Sequence, residues 1–315
     1  MNEKEILTAV IPDEYGGLRL DRALARMYPD YSRARLQKWL KSGDITINGE
    51  MKRPKDAVLG GEKVQFEVTM DDEVLLEPEA IELNIIHEDD QIIVINKPAG
   101  LIVHPGAGNP NGTMANALLY HVPDIRLVPR VGIVHRIDKD TTGLLVVAKD
   151  IKTHTHLVEQ LQQRTVTRKY ITLVHGEIIS GGTIDNPIGR HSVDRKRMAV
   201  KPTIGRVAIT HYRIRKKYPG FTLLDVSLET GRTHQIRVHM SYRKHPIVGD
   251  LVYGRKMNAG KSQALSLLAD FPRQALHAAN LSFMHPKTRQ EISFSASLPV
   301  DFQELIDALE NNNES

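Results

Sequence analysis

The chain has 315 residues, 41% of them hydrophobic, enough for a catalytic domain with its own core and a smaller module. It contains no cysteine, which excludes a disulfide framework, a thiolate nucleophile and any zinc or iron–sulfur site built on Cys. The formal net charge of +4 conceals a segregation: residues 69–90 carry nine acidic side chains and no Lys or Arg, and they divide a basic segment at 17–68 from a basic remainder. That pattern suits a polyanionic partner bound at both ends, although solvated surface produces it too.

Residues 1–5 lack a basic n-region and an apolar h-region, and no apolar run approaches the roughly 18 residues that a membrane span requires. A soluble, unprocessed, cytoplasmic protein is expected. Leu20, Leu24 and Met27 recur at i, i+4 and i+7, which predicts a helix with Arg22 and Arg26 off its apolar face. Beyond Pro29, Ser32 is the expected N-cap of a second helix with Leu36, Trp39 and Leu40 inward. Arg35, Lys38 and Lys41 then share roughly the opposite side, and Ser42-Gly43 ends the helix. A strand at Ile45–Ile47 runs into the Asn48-Gly49 turn, and an alternating strand at 63–68 completes a helix-helix-strand unit. Residues 69–90, with Asp71-Asp72-Glu73 and Pro78, read as an acidic, solvated linker.

From residue 92 onward β-type runs dominate, at 92–95, 144–147, 170–174 and 222–228, interrupted by helical pieces at 113–121 and 153–163. This mixture predicts an α+β domain on a mainly antiparallel sheet. The final residues, 311–315, are expected to be disordered.

The segment richest in chemistry is His135-Arg136-Ile137-Asp138, followed by Lys139-Asp140-Thr141-Thr142-Gly143 and the apolar run 144–147. A carboxylate in a turn braced by a strand is ionised at neutral pH and can act as a nucleophile without an activating base. Taken alone, these four residues equally describe an Asp capping a turn beside a surface Arg. Three further segments accompany them. Asn96-Lys97-Pro98-Ala99-Gly100 through His104-Pro105 demands a fixed turn after a strand. Arg168-Lys169-Tyr170 sets a phenol at the start of a strand, where it can also be a core aromatic. Residues 230–239 are a strand end turned by Gly231 into a helix with Thr233 as its expected cap, and there Arg237 can equally be a buried structural ion-pair partner.

Neither a metal nor a nucleotide loop is expected. His234 and His239, five residues apart, point to opposite faces of a strand or about 140° apart on a helix, so they do not share a metal. Gly106-Ala107-Gly108 lacks the Lys-Ser/Thr of a phosphate-cradling loop.

Residues 17–68 resemble an S4 domain, a small RNA-binding module. The resemblance implies that Arg33, Arg35, Lys38, Lys41, Lys52, Arg53 and Lys55 meet the phosphate backbone of structured RNA. The four motifs together, in this order, resemble the RluA/RluD family of RNA pseudouridine synthases from about residue 17 to 300. The S4 fusion points to the RluD-like subgroup. Ile137 replaces a commoner Leu and Thr142 a frequent Ser.

The resemblance implies a pseudouridine synthase fold and an isomerase that needs no cofactor. In it Asp138 is the catalytic aspartate, Tyr170 the ring stacked on the target base, Arg237 the cation paired with Asp138, and Arg136 a residue that helps displace the nucleotide. It gives His135 no comparable role. The implied partner is structured ribosomal RNA, a stem-loop of the large subunit; the basic triplet Arg195-Lys196-Arg197, by its charge, reads as an RNA backbone contact rather than a localisation signal. The expected organisation is an S4-like domain at 1–68, a linker at 69–90, a catalytic domain at 91–310 and a tail at 311–315, in a monomer. Two questions stay open in the sequence: whether Asp138 attacks the sugar or takes a proton from it, and whether the chain is instead a non-catalytic rRNA-binding or assembly protein, or a glycosylase that releases uracil.

Overall fold

A computed structural model describes residues 4–28, 33–69, 76–106, 108–194, 197–254 and 263–311. The chain divides into two compact units, Met1–Leu75 and Leu76–Ser315.

The first unit contains β1 (Lys4–Val10), α1 (Leu20–Met27), α2 (Arg33–Ser42), β2 (Ile45–Ile47) and β3 (Lys63–Thr69). The three strands form an antiparallel sheet in the order β1-β3-β2. Leu20 and Leu24 of α1 and Leu36, Trp39 and Leu40 of α2 bury against Ile45, Val64 and Phe66, as the helical spacing predicts. The Asn48-Gly49 turn takes positive φ at both residues, 52° and 82°, the geometry for which Asn-Gly is favoured. Strand β1 was not foreseen; its partner β3 is the central strand, so pairing far along the chain decides it. Ser32 lies outside the described residues.

The second unit begins earlier than expected. Residues 76–90 belong to it rather than to a linker. Burial alternates along 81–90, so Glu82, Glu88 and Asp90 fall on the exposed side while Leu76, Leu83 and Ile85 pack against the catalytic core and Asp89 accepts from His285 and the Gln91 and Ile92 amides. Asn116 ties this stretch down by donating from Nδ2 to the Glu77 carbonyl and accepting from the Glu79 amide. Net charge hid a period-2 strand pattern. The Asp71-Asp72-Glu73 run lies outside the described residues.

The remaining elements follow in chain order. They are β4 (Ile85–Glu88), β5 (Ile92–Lys97), α3 (Met114–His121), β6 (Thr142–Ala148), α4 (Ile151–Gln162), β7 (Thr167–His175) and β8 (Gly182–Asp185). After them come β9 (Ile188–Arg190), β10 (Met198–Val200), β11 (Ile209–Tyr218), β12 (Phe221–Leu228) and α5 (Gln235–Tyr242). The chain closes with α6 (Gln263–Asp270), β13 (Leu276–Met284), β14 (Glu291–Ser295) and α7 (Val300–Asn311).

One sheet runs β4-β5-β6-β13-β7-β12-β11-β8, with β14 on β13; every pairing is antiparallel except β6 with β13. This is the α+β, mainly antiparallel mixed sheet that the sequence predicts. Strand β6 is buried along its whole length, because Leu145 and Val147 join the main core while Leu144, Val146 and Ala148 pack with Leu157 of α4 on the other face. Helix α4 starts two residues before the expected 153, since the Asp150 carboxylate accepts the Thr153 amide (2.9 Å) and hydroxyl (2.7 Å) as N-cap. Helix α7 buries Phe302, Leu305, Ile306 and Leu309 and reaches Asn311, the first residue of the expected tail; residues 312–315 lie outside the described set.

Candidate active site

The Asp138 turn is fixed from three directions. Its own carbonyl accepts the Thr141 amide (3.1 Å), and the Lys139 carbonyl accepts both the Gly100 amide (3.0 Å) and the Lys97 ammonium (2.8 Å). Lys97 is fully buried, and burial lowers its pKa to about 7 against the opposing pull of Asp140 and Asp138. The Lys97-Pro98-Ala99-Gly100 motif therefore serves as a brace for the Asp138 motif. At the far end of the turn, Gly143 has φ +113° and lies so close to β13 that a Cβ would sit 2.3 Å from the Ala278 carbonyl oxygen. That is why a glycine opens β6 beside its parallel partner. Thr142 bonds His277 Nδ1 at 2.8 Å, so the hydroxyl that Thr shares with Ser is used.

Arg237, on α5 and 99 residues away in sequence, meets Asp138 directly: its Nη1 donates to Oδ2 at 2.9 Å. The same guanidinium grips the buried Asp250 in a two-point pair, Nε to Oδ2 at 2.7 Å and Nη2 to Oδ1 at 2.9 Å. Asp250 also accepts the amides of Val252 and Tyr253. Desolvation opposes the Arg237 charge, but the two carboxylates outweigh it and hold its pKa above the ordinary arginine range. Arg237 is consequently a fixed cation with one carboxylate behind it and one in front.

Tyr170 sits mid-sheet on β7, opposite Val226 of β12 and Ala278 of β13, and lines the same pocket as Asp138 and Arg237. It is 7% exposed, and burial raises its pKa, with Asp138 adding to the rise and Arg168 opposing it. The phenol stays protonated at neutral pH. Arg136 is exposed at the pocket rim. His135 turns inward instead: its Nε2 accepts the Val146 amide at 3.2 Å, and burial, then Arg168, lowers its pKa to about 3. It is a neutral part of the scaffold.

Residues to which the motifs assigned no catalytic role complete the pocket. The expected cap of α5, Thr233, does not cap it; His234 occupies the N-cap position with φ +56°, in the left-handed region. The Gln235 side chain ties the turn instead, accepting from the Arg232 amide and the Thr230 hydroxyl. His234 Nε2 lies 3.8 Å from Asp138 Oδ1, and its Nδ1 is 2.8 Å from the Tyr253 hydroxyl. His239 faces elsewhere, with its two nitrogens on Thr210 and the Asn186 carbonyl. Arg168 is buried beside Gly231, where a Cβ would meet its Nη1 at 2.8 Å. Asp250 and Tyr253 carry no periodic or turn signal that marks them in the sequence; only the fold brings them to Arg237.

In the first unit, the cations expected on RNA divide into two groups. Arg33 is committed to Asp21 at 2.7 Å, Arg53 to Asp56 at 3.0 Å and Lys52 to Glu50 at 3.0 Å. Lys38, Lys41 and Lys55 are exposed and, among the described residues, have no ion pair. Lys41, Lys52, Arg53 and Lys55 line one shallow groove with Arg19 and Met51. The Arg35 side chain lies outside the described residues, as do Arg195 and Lys196. Arg197 packs over the Tyr253 ring at 5.4 Å.

A carboxylate on a rigid turn, a fixed arginine against it and a buried tyrosine lining the same pocket define a site for chemistry on a ring inserted between them. Residues 91–242 match the RNA pseudouridylate synthase family, and residues 18–64 match the S4 domain. The chain is 50% identical over 310 residues to ribosomal large subunit pseudouridine synthase D of Xanthomonas campestris, covering 98% of this chain and 93% of the relative. Its counterpart in Escherichia coli O157:H7 is 50% identical over 313 residues, covering 98% and 96%. Among solved structures, human RNA pseudouridylate synthase domain containing 4 aligns with a TM-score of 0.58 at 26% identity, covering 72% of this chain and 93% of that one. The human domain containing 1 protein aligns at 0.54 and 27%, covering 70% and 85%. The chain belongs to the RNA pseudouridylate synthase family, as an S4-bearing member of it.

Proposed function

We propose that this enzyme isomerises specific uridines of large-subunit ribosomal RNA, with Asp138 as the catalytic aspartate. The observation that carries the reading is the Asp138 carboxylate itself: Arg237 holds Oδ2, while among the described residues Oδ1 has no partner within hydrogen-bond distance, in a pocket that Tyr170 also lines. The reaction breaks the N1–C1′ bond, turns the uracil and joins C5 to C1′, so it consumes no redox partner and no group donor. Asp138 assists departure of the base by attacking the sugar or by taking its proton. Arg237 keeps the carboxylate oriented when the base covers it.

The target nucleotide has to leave its stack, at a cost of a few kcal/mol, and stacking on Tyr170 returns about 1 to 3 kcal/mol. Arg136 at the rim supports the displaced conformation. The raised pKa of Tyr170 favours the neutral phenol, so a stacking surface is its first role. Lys38, Lys41 and Lys55 are the S4 cations freest to meet phosphate, joined by Arg33, Lys52 and Arg53 when RNA competes with their acids. The enzyme works as a monomer in the cytoplasm, without a cofactor.

Carbodiimide-adduct primer extension on rRNA treated with the wild type and with Asp138→Asn tests this. Stops that require the wild type support the reading and map the uridines. No stops with either protein, or the same stops with both, would overturn it.

A further inference from the structure

We infer that His234 is a further catalytic residue, a neutral hydrogen-bond donor whose Nε2–H meets the uracil O2 as the N1–C1′ bond breaks. The inference rests on the reading of Asp138 given above.

Three observations carry it. The first is position. His234 lines the pocket of Asp138, Tyr170 and Arg237, and its Nε2 stands 3.8 Å from Asp138 Oδ1, too far for a hydrogen bond. Asp138 works at the sugar carbons, and O2 is the uracil oxygen next to the bond being broken, so a donor beside Oδ1 is within reach of it.

The second is the tautomer. The Tyr253 oxygen accepts the Met198 amide (2.8 Å), which leaves the phenol proton for His234 Nδ1 at 2.8 Å. With Nδ1 occupied as an acceptor, the neutral ring carries its proton on Nε2, the nitrogen that faces Asp138. Burial depresses the His234 pKa, with Asp138 opposing and Arg237 assisting, which favours this neutral form.

The third is backbone conformation. His234 has φ +56°, the left-handed region in which His, Asn and Asp are the commonest side-chain-bearing residues, and it caps α5 without a side-chain capping bond. This left-handed turn brings the ring to the pocket, three residues before the arginine that holds Asp138.

The chemistry asks for such a group. When N1–C1′ breaks, both bonding electrons leave with the uracil, and the negative charge spreads from N1 to O2 and O4. Arg237 is already shared by two carboxylates, so it has little left for this charge. A neutral N–H can stabilise the anion and keep its proton, so the electron pair remains on the base until C5 joins C1′. The C5 proton is then lost and N1 takes one up, leaving the histidine unchanged. Tyr253 is a positioning residue that acts through His234.

Single-turnover isomerisation at saturating protein tests the inference, on synthetic RNA carrying either uridine or 2-thiouridine at a mapped site. Sulfur is a weak acceptor, so the contribution of a donor to O2 shrinks with the thio substrate. His234→Ala should lose about 100-fold in rate on uridine and less than about tenfold on 2-thiouridine, the scale of removing one donor to a developing anion. RNA affinity and Tm should stay close to wild type. His234→Gln, which returns an amide donor near Nε2, should recover part of the loss on uridine. A wild-type rate in His234→Ala, an equal loss on both substrates, or a Gln variant as slow as Ala would overturn the inference. An active Asp138→Asn, or an inactive wild type, would instead remove the reading of Asp138 on which it rests.

Discussion

Two aspartates, one in each unit, are both held by arginine, and they differ in what is left over. Asp21 of the S4 unit has a fully buried side chain and accepts from Arg19, Arg33 and Gln37. Burial pushes its carboxyl up, but these hydrogen bonds outweigh burial and hold its pKa below the ordinary value. Asp138 keeps 18% of its side chain exposed and receives one direct bond from Arg237, whose other valences go to Asp250. A carboxylate engaged at both oxygens fixes two helices together. One with an open oxygen is available to a substrate, and the stabilisation it forgoes is offset by Asp250, which takes over the structural pairing of Arg237.

The same substitution at both sites sharpens this contrast most. Asp138→Asn should lower the isomerisation rate by about 10⁴-fold or more, while urea unfolding moves by less than about 1 kcal/mol. Asp21→Asn should do the reverse, destabilising the S4 unit by about 1 to 3 kcal/mol with an unchanged rate constant at saturating RNA. Comparable stability losses in both variants would erase the distinction.

Arg237→Met breaks the arrangement from the other side, because it leaves Asp250 buried without its cation. A loss of about 3 to 5 kcal/mol by denaturant titration is expected, together with activity. Asp250→Asn separates the two roles, since Arg237 keeps Asp138 as partner.

Acid should distinguish the units more gently. Residues 1–75 contain no histidine, whereas burial lowers His104 to about 4 and His135 to about 3 in the catalytic unit. An unfolded histidine titrates near 6.5, so below that pH the unfolded chain binds protons that the folded one refuses, and stability falls with pH. Asp21 works in a lower window, since its contribution is complete above the unfolded value of 3.8 and is lost only as pH drops through its lower folded pKa. Hydrogen exchange followed from pH 7 to 5, corrected for intrinsic rates, should therefore show protection falling in residues 76–315 and holding in the S4 unit. Equal loss in both would contradict this assignment.

The smallest effects belong to the surface. Lys38→Ala, Lys41→Ala and Lys55→Ala should each weaken rRNA binding a few-fold and reduce the salt slope by about 1, with no change in the rate at saturation. Arg33→Ala should additionally lower stability, because Arg33 also holds Asp21.

What was legible in the sequence follows from how far each signal reaches along the chain. Helix α1 and the inward side of α2 are written in a 3.6-residue period, and β5, β6, β7 and β12 in apolar runs, so local patterning suffices for them. Three of the residues brought together at Asp138 lie in motifs whose resemblance to a known family names them. The misread segments are those where charge or turn chemistry spoke louder than burial. Residues 76–90 looked like a linker because their six acids mask the alternation of Leu83 and Ile85, and Thr233 looked like a cap because its hydroxyl suits one.

By itself the sequence determined the local elements, the kinds of ionisable group available and the order of the motifs. The tertiary structure decided which of those groups lose their water and which meet. Arg237 and Asp138 are 99 residues apart, and Asp250, Tyr253 and His234 gain their parts only once α5 and the following loop fold against the Asp138 turn. Pairing, tautomer and pKa depend on desolvation and on distances of a few ångströms, and neither quantity exists for a residue until the distant parts of the chain have packed around it.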